Sequence, residues 1–290
     1  MIASGDIRAY LRGLAGRVWV DQTEARHFGL KLQEETITEF LLLQMARDLS
    51  PHGLKVQMFS KRREGGVKRA DGTIEEIGNG ADWEWFVDLP TCQVGFRVQA
   101  KRLYGTPNQN GYYGGLELGG HQIDDLINSA GTEMNPVYIF YNHAFTKTSH
   151  LFTRSAMTNW FGGSAWGCSV ATAEFVKSLG FRTIPAVLPG MVPWHRFFAL
   201  GNNTLHGCAV DRMMKNMMGS QKFNLATKKP DWLAFLLEGS ERPFSDKPDT
   251  VQPDGRYEDE EQPDSEVAMK LNGFLAERHL DGVAYFDFRG

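Results

Sequence analysis

Two short runs in this 290-residue chain carry side chains that could act together, Gly80-Ala81-Asp82-Trp83-Glu84-Trp85 and Gln99-Ala100-Lys101. Both read as β-strands. Strand side chains alternate, so Asp82 and Glu84 project to one side and Trp83 and Trp85 to the other; Gln99 and Lys101 likewise share a face, with Val98 and Ala100 turned to the opposite layer. Where the two polar faces coincide, two carboxylates, an amide and an ammonium converge. A preceding helix offers Glu35 or Glu39, four apart on one face, as a further carboxylate. Glu35 is preferred because Glu39 abuts the apolar run. Phosphodiester hydrolysis needs this combination: oxygen ligands hold a hard cation such as magnesium or manganese, the cation polarises the phosphate and acidifies a bound water, and a lysine places the attacking hydroxide. The bland alternative for Asp82 and Lys101 is an ion pair between neighbouring strands.

The elements that must position these groups are legible in outline. Leu30, Ile37, Phe40, Leu41, Leu43 and Met45 interleave with polar residues up to Ser50-Pro51, which predicts a helix of roughly four turns after Gly29. Leu54 to Ser60 alternates as a strand, and the basic stretch that follows with its Asp71-Gly72 turn signal predicts a hairpin. Residues 81–87 and 93–101 form two adjacent strands. A loop rich in Gly, Tyr and Asn, Gly105 to Gly120, leads to a short helix at Gln122 to Asn128, and Pro136 to Tyr141 reads as a buried strand because its apolar run is nearly continuous. Ser169 to Leu179 looks helical, and Ile184 to Leu188 looks like a strand that Pro185 confines to an edge. The order predicts an α/β domain, a mixed sheet flanked by helices, over residues 1–205. Residues 206–290 read as a C-terminal extension. Within it, 241–266 is acidic and proline-rich, too polar to order itself, and is followed by a helix pattern from Val267 to His279 and a strand-like end at 282–288.

The succession of helix acid, strand Asp and Gln-x-Lys resembles the PD-(D/E)xK nuclease superfamily, in the Mrr-type variant where glutamine replaces the second acid. The wider stretch of Glu34-Glu35-Thr36-Ile37-Thr38-Glu39, Gly80 to Trp85, Gln99 to Lys101 and Tyr138-Ile139-Phe140-Tyr141-Asn142 also resembles a bacterial family of uncharacterised proteins, over roughly residues 25 to 200. The superfamily resemblance implies a restriction-endonuclease-like core. It would make Asp82 the principal metal ligand, Gln99 a weaker ligand through its carbonyl, Lys101 the water-orienting cation and Glu35 the helix acid, with Glu84 compensating for the charge that Gln99 lacks. It implies a magnesium- or manganese-dependent endonuclease acting on DNA, with RNA not excluded, and a role in bacterial defence against foreign genomes. Cutting both strands would favour a homodimer.

Composition limits the other classes. The chain is 42% hydrophobic and 23% charged, which excludes a wholly disordered or coiled-coil protein. Net charge is −4, so contact with nucleic acid must come from a local patch, for which Lys61, Arg62, Arg63, Lys68 and Arg69 are the candidates; otherwise a basic partner or second-messenger trigger is required. A solvated hairpin tip explains that stretch equally well. Three cysteines in no disulfide or zinc spacing, and no signal peptide or membrane span, predict a cytoplasmic protein without a membrane partner. Trp83 and Trp85 are expected in the core, whereas Tyr112 and Tyr113 sit in a loop and are freer to meet a ligand. A competing chemistry is a thiol hydrolase, with Cys168 before a helix and His195 or His206 as its base. His143, His150, His195 and His206 show no metal-ligand spacing. A non-catalytic nucleic-acid-binding member of the same fold is the third alternative.

Overall fold

The computed structural model describes residues 4–49, 55–58, 80–89, 92–116, 121–132, 134–154, 162–196 and 282–287. The chain begins with a helix absent from the sequence expectations, α1 (Ser4–His27), followed by α2 (Glu34–Leu49). In α1, Ile7, Leu11, Leu14, Ala15 and Val18 recur at helical spacing and are all buried. Strands β1 (Lys55–Met58), β2 (Trp83–Leu89), β3 (Cys92–Tyr104) and the short β4 (Tyr112–Tyr113) precede α3 (His121–Ala130) and β5 (Met134–Tyr141). Then come α4 (His150–Arg154), β6 (Cys168–Thr172), α5 (Ala173–Lys177), α6 (Ile184–Val187), β7 (Val192–Pro193) and β8 (Gly282–Asp287).

The strands form one mixed sheet in the order β1-β8-β2-β3-β5-β6-β7, with β4 paired to β3 off this path. Strands β2 and β3 are antiparallel, whereas β3 and β5 are parallel. Alternation along the strands divides the core into two layers. On one face Trp83, Trp85, Val94, Phe96, Val98 and Ala100 pack beneath α1 and α2. On the other, Leu103, Tyr138, Phe140 and Ala171 pack against Ile123 and Leu126 of α3 and Val176 of α5. The expected α/β architecture, a mixed sheet flanked by helices, is what the chain adopts.

Three local expectations need correction. Residues 169–172, read as the start of a helix, belong to strand β6 paired to β5, and the helix begins only at Ala173, where Thr172 Oγ1 accepts the Phe175 N–H. Residues 184–187 are a helical turn and not an edge strand, because Pro185 occupies the first turn, where a missing N–H costs nothing. The strand at 282–287 is no appendage: β8 lies between β1 and β2, antiparallel to the first and parallel to the second. The partner of β1 is therefore β8. The expected hairpin tip at 59–79, the acidic segment and the helix pattern at 267–279 lie outside the described residues.

Candidate active site

Site geometry follows from unequal strand lengths. β2 begins at Trp83, paired with Val98, while β3 runs on to Tyr104, so the backbone N–H groups of Ala100 and Arg102 face a gap that β2 does not fill. Two carboxylates fill it. Asp82 Oδ2 accepts the Ala100 N–H at 2.6 Å, and Glu34 Oε2, from the first turn of α2, accepts the Arg102 N–H at 2.9 Å. The two acids are thereby held along one strand edge with a spacing set by two residues, about 6.6 Å.

Asp82 arrives here through Gly80. At φ +69 only glycine is comfortable, and a Cβ at this position would lie 2.3 Å from the Gln122 carbonyl oxygen and 2.6 Å from the Leu126 nitrogen. The chain can therefore press against the first turns of α3 before entering β2. Across β2 and β3, Trp83 pairs with Val98 and Glu84 with Arg97, which leaves Asp82 beside Gln99. Gln99 Nε2 donates to Asp82 Oδ2 at 2.7 Å, and Gln99 Oε1 accepts from Gln122 Nε2 at 2.9 Å. Lys101 Nζ lies 3.7 Å from Glu34 Oε1, and it is within 4.0 Å of where a side chain on Gly115 would begin.

Asp82 and Gln99 thus meet as expected, and Lys101, two residues on along β3, meets Glu34. Gln99 is fully buried and Lys101 is 5% exposed, whereas Asp82 is half-buried and the Glu34 side chain retains 22% exposure, so access is through the two acids. The helix acid on Lys101 is Glu34, one residue before the expected Glu35; Glu35 is half-buried and Glu39 is exposed. Ile37, Leu41 and Met45 of α2 are buried, and their row continues back to Glu34, which is the signal that separates it from its neighbour. Thr38, one turn later, donates to the Glu34 carbonyl at 3.0 Å and meets the buried Tyr141 hydroxyl at 2.8 Å, tying this turn of α2 to β5. Burial pushes the Tyr141 phenol well above its usual range, with Cys168, Glu34 and Asp82 adding to the effect.

Other candidates are placed elsewhere. Glu84, expected as a compensating ligand, is fully buried in an ion pair with Arg97, whose Nε and Nη2 both reach Oε1, at 2.9 and 2.5 Å. Arg97 also donates to the Ser129 carbonyl of α3, so this pair joins sheet to helix. Lys61, Arg62, Arg63, Lys68, Arg69 and His206 fall outside the described residues. Cys168 is fully buried in a strand, and burial raises its thiol well above the usual value, opposite to what a thiolate nucleophile needs. His195 is 2% exposed and, by burial first and then Arg8, Arg12 and Arg196, is lowered to about 4. Tyr113 is buried and donates to Asn142, whereas Tyr112 is 45% exposed. A largely apolar groove of about 460 Å³ between α1 and α2, lined by Val18, Phe28, Leu30, Ile37, Phe40 and neighbours, does not include Asp82, Gln99 or Lys101.

Among the described residues no group of three or more His, Cys, Asp or Glu side chains is arranged to hold a metal ion. The oxygen donors of Asp82 and Glu34 nevertheless suit magnesium, which is commonly held by one or two carboxylates together with substrate phosphate and waters. Gln99 presents its NH2 group to Asp82, so its carbonyl could join a cation there only after the amide turns over. Among the described residues no helix is long and apolar enough to cross a membrane.

The profile of a family of unknown function, DUF6615, matches residues 7–269. No curated protein and no solved structure matches the chain.

Proposed function

Because the chain belongs to DUF6615, a family of unknown function, its activity has to be read from the site, and we propose a magnesium- or manganese-dependent nuclease that acts on nucleic acid, DNA foremost. One observation carries this reading: Asp82 and Glu34 sit side by side on the edge of β3 beyond the start of β2, with the Lys101 ammonium beside the second of them. Both acids keep some exposure beside the nearly buried Lys101, so a ligand has access to them.

A divalent cation, when bound, supplies the Lewis acidity that polarises a phosphate and acidifies water. Asp82 and Glu34 would hold it, joined by the Gln99 carbonyl once that amide has turned. The Ala100 and Arg102 N–H groups hold the two carboxylates in place, so the rearrangement on binding is that of the Gln99 amide. Lys101, with Glu34 beside it, orients the attacking water and offsets negative charge that gathers on the phosphate. Gln122 restrains Gln99 from the α3 side. One such centre cuts one strand; two copies would be needed to cut both.

The test is incubation of wild type and Lys101→Ala with plasmid DNA and with RNA, in magnesium, manganese or EDTA. The wild type should cleave only with metal, and Lys101→Ala should be slower by about 100-fold or more. Equal cleavage by the two proteins would overturn the assignment, and preferential cleavage of RNA would replace DNA as the substrate.

A further inference from the structure

We infer that Tyr112 and Arg26 form a subsite for an unpaired nucleotide at the end of β3, on the face opposite Gln99 and Lys101, the exposed tyrosine ring taking the base and the guanidinium the phosphate. The ligand's being part of a nucleic-acid strand rests on the nuclease reading above.

The subsite is built where β3 leaves the candidate centre. Arg102, whose backbone N–H holds Glu34, follows Lys101 directly, and its guanidinium lies 4.4 Å from the ring centroid of Tyr104. The Tyr104 and Tyr112 rings are stacked, centroids 5.7 Å apart and 21° from parallel. Arg26, near the end of α1, reaches the same ring at 5.5 Å and donates to the Leu103 carbonyl at 3.0 Å; the Arg102 guanidinium donates to the Leu32 carbonyl. Alternation in β4 buries Tyr113 and leaves Tyr112 outside, stacked and therefore rigid, with 45% of its surface free.

Two features of this cluster point to a ligand. Neither Arg26 nor Arg102 has a carboxylate ion-pair partner among the described residues, where the ion pairs join Arg97 to Glu84, Lys101 to Glu34 and Lys177 to Asp124. Burial, and then the charge of Arg102, disfavour the Arg26 cation. Arg26 is half-buried and Arg102 only 4% exposed, so an anion reaching Arg26 would offset the repulsion between the two guanidiniums, and phosphate is the anion whose oxygens match its fork. The second feature is the ring: a surface tyrosine clamped by another tyrosine offers a flat face of the kind on which bases stack. In a duplex both faces of a base are covered by its neighbours, so the geometry selects an unpaired or terminal base.

The full-length protein in EDTA, titrated with a fluorescent single-stranded oligonucleotide and with its duplex, tests this by anisotropy. The single strand should bind more tightly. Tyr112→Ala should weaken it about five-fold or more while Tyr112→Trp retains it, and Arg26→Ala should flatten the salt dependence by roughly one phosphate contact. Because Tyr112 is a surface side chain, its variants carry the test even if Arg26→Ala folds poorly. Single-strand binding by Tyr112→Ala equal to that of wild type overturns the proposal, as does complete displacement of the strand by an equimolar mononucleotide, which would make this a site for a free nucleotide. Metal-dependent cleavage by the same preparations separates the two readings. Wild-type cleavage with binding insensitive to Tyr112 removes the subsite alone; Tyr112-dependent binding with no wild-type cleavage upholds the subsite and removes the nuclease.

Discussion

Asp82 and Glu34 each accept a backbone N–H that the sheet has left over, so each carboxylate has a structural partner that also aims it. This explains why the identity of the helix acid depends on a single residue. On an α-helix neighbouring residues point about 100° apart, and only Glu34 continues the row of Ile37, Leu41 and Met45 towards the sheet. Glu34→Gln should therefore lower metal-dependent cleavage at least about ten-fold more than Glu35→Gln, with both proteins folded by circular dichroism; the reverse order would return the role to Glu35. Asp82, Gln99 and Lys101 were legible from the sequence because a period of two leaves no freedom about which faces they share. Glu34 was missed because the exposed Phe40 and Leu43 blur the apolar stripe in the sequence, and only burial shows that the row through Ile37, Leu41 and Met45 is the one that meets the sheet. Glu84 was misread for a related reason: alternation places it on the correct face, but only pairing with Arg97 shows that its carboxylate is already committed.

At the scale of elements, Gly80 shows how a backbone position controls a side chain two residues away. Its positive φ and the closeness of Gln122 and Leu126 let β2 start tight against α3, which delivers Asp82 to the edge of β3. Gly80→Ala should destabilise the protein by about 2 kcal/mol or more, read from chemical denaturation, because both the backbone strain and the steric overlap must be relieved by moving α3. A stability equal to wild type would mean that α3 yields freely. Secondary structure was readable wherever one layer decides it, as in α2, β2, β3 and β5. It failed at residues 169–172, whose small and apolar side chains suit helix or strand until pairing with β5 chooses, and at Pro185, which is compatible with both a strand edge and a first helical turn. In α1 the apolar spacing was present, but Gly13 and Gly16 weaken the local helical signal that tertiary burial restores.

For the whole molecule, the buried imidazoles set a direction of pH dependence. His143 and His195 are both lowered to about 4, chiefly by burial, with Arg26 and Arg102 acting on the first and Arg8, Arg12 and Arg196 on the second. In the unfolded chain each takes up a proton near the ordinary value of 6.5. Between these values the unfolded state binds more protons, so stability is full above about 6.5, falls as the pH drops, and levels off below about 4. The loss should reach about 1–3 kcal/mol per histidine. Unfolding by urea at pH 7 and pH 5 should show this slope, and His195→Gln should flatten it; an unchanged slope would remove His195 as its source.

The position of β8 was the least legible feature of all, because no local pattern says where in a sheet a distant strand will insert. Its consequence lies in the order in which the chain emerges from the ribosome. Glu84 aligns with Val283 and Lys55 with Tyr285, so β1 and β2 wait through most of translation with exposed edges before the strand that joins them has been made. In a nascent chain halted before residue 282, β2, the strand that Asp82 leads into, has only one of its two described neighbours, which leaves an edge open to mispairing until synthesis ends.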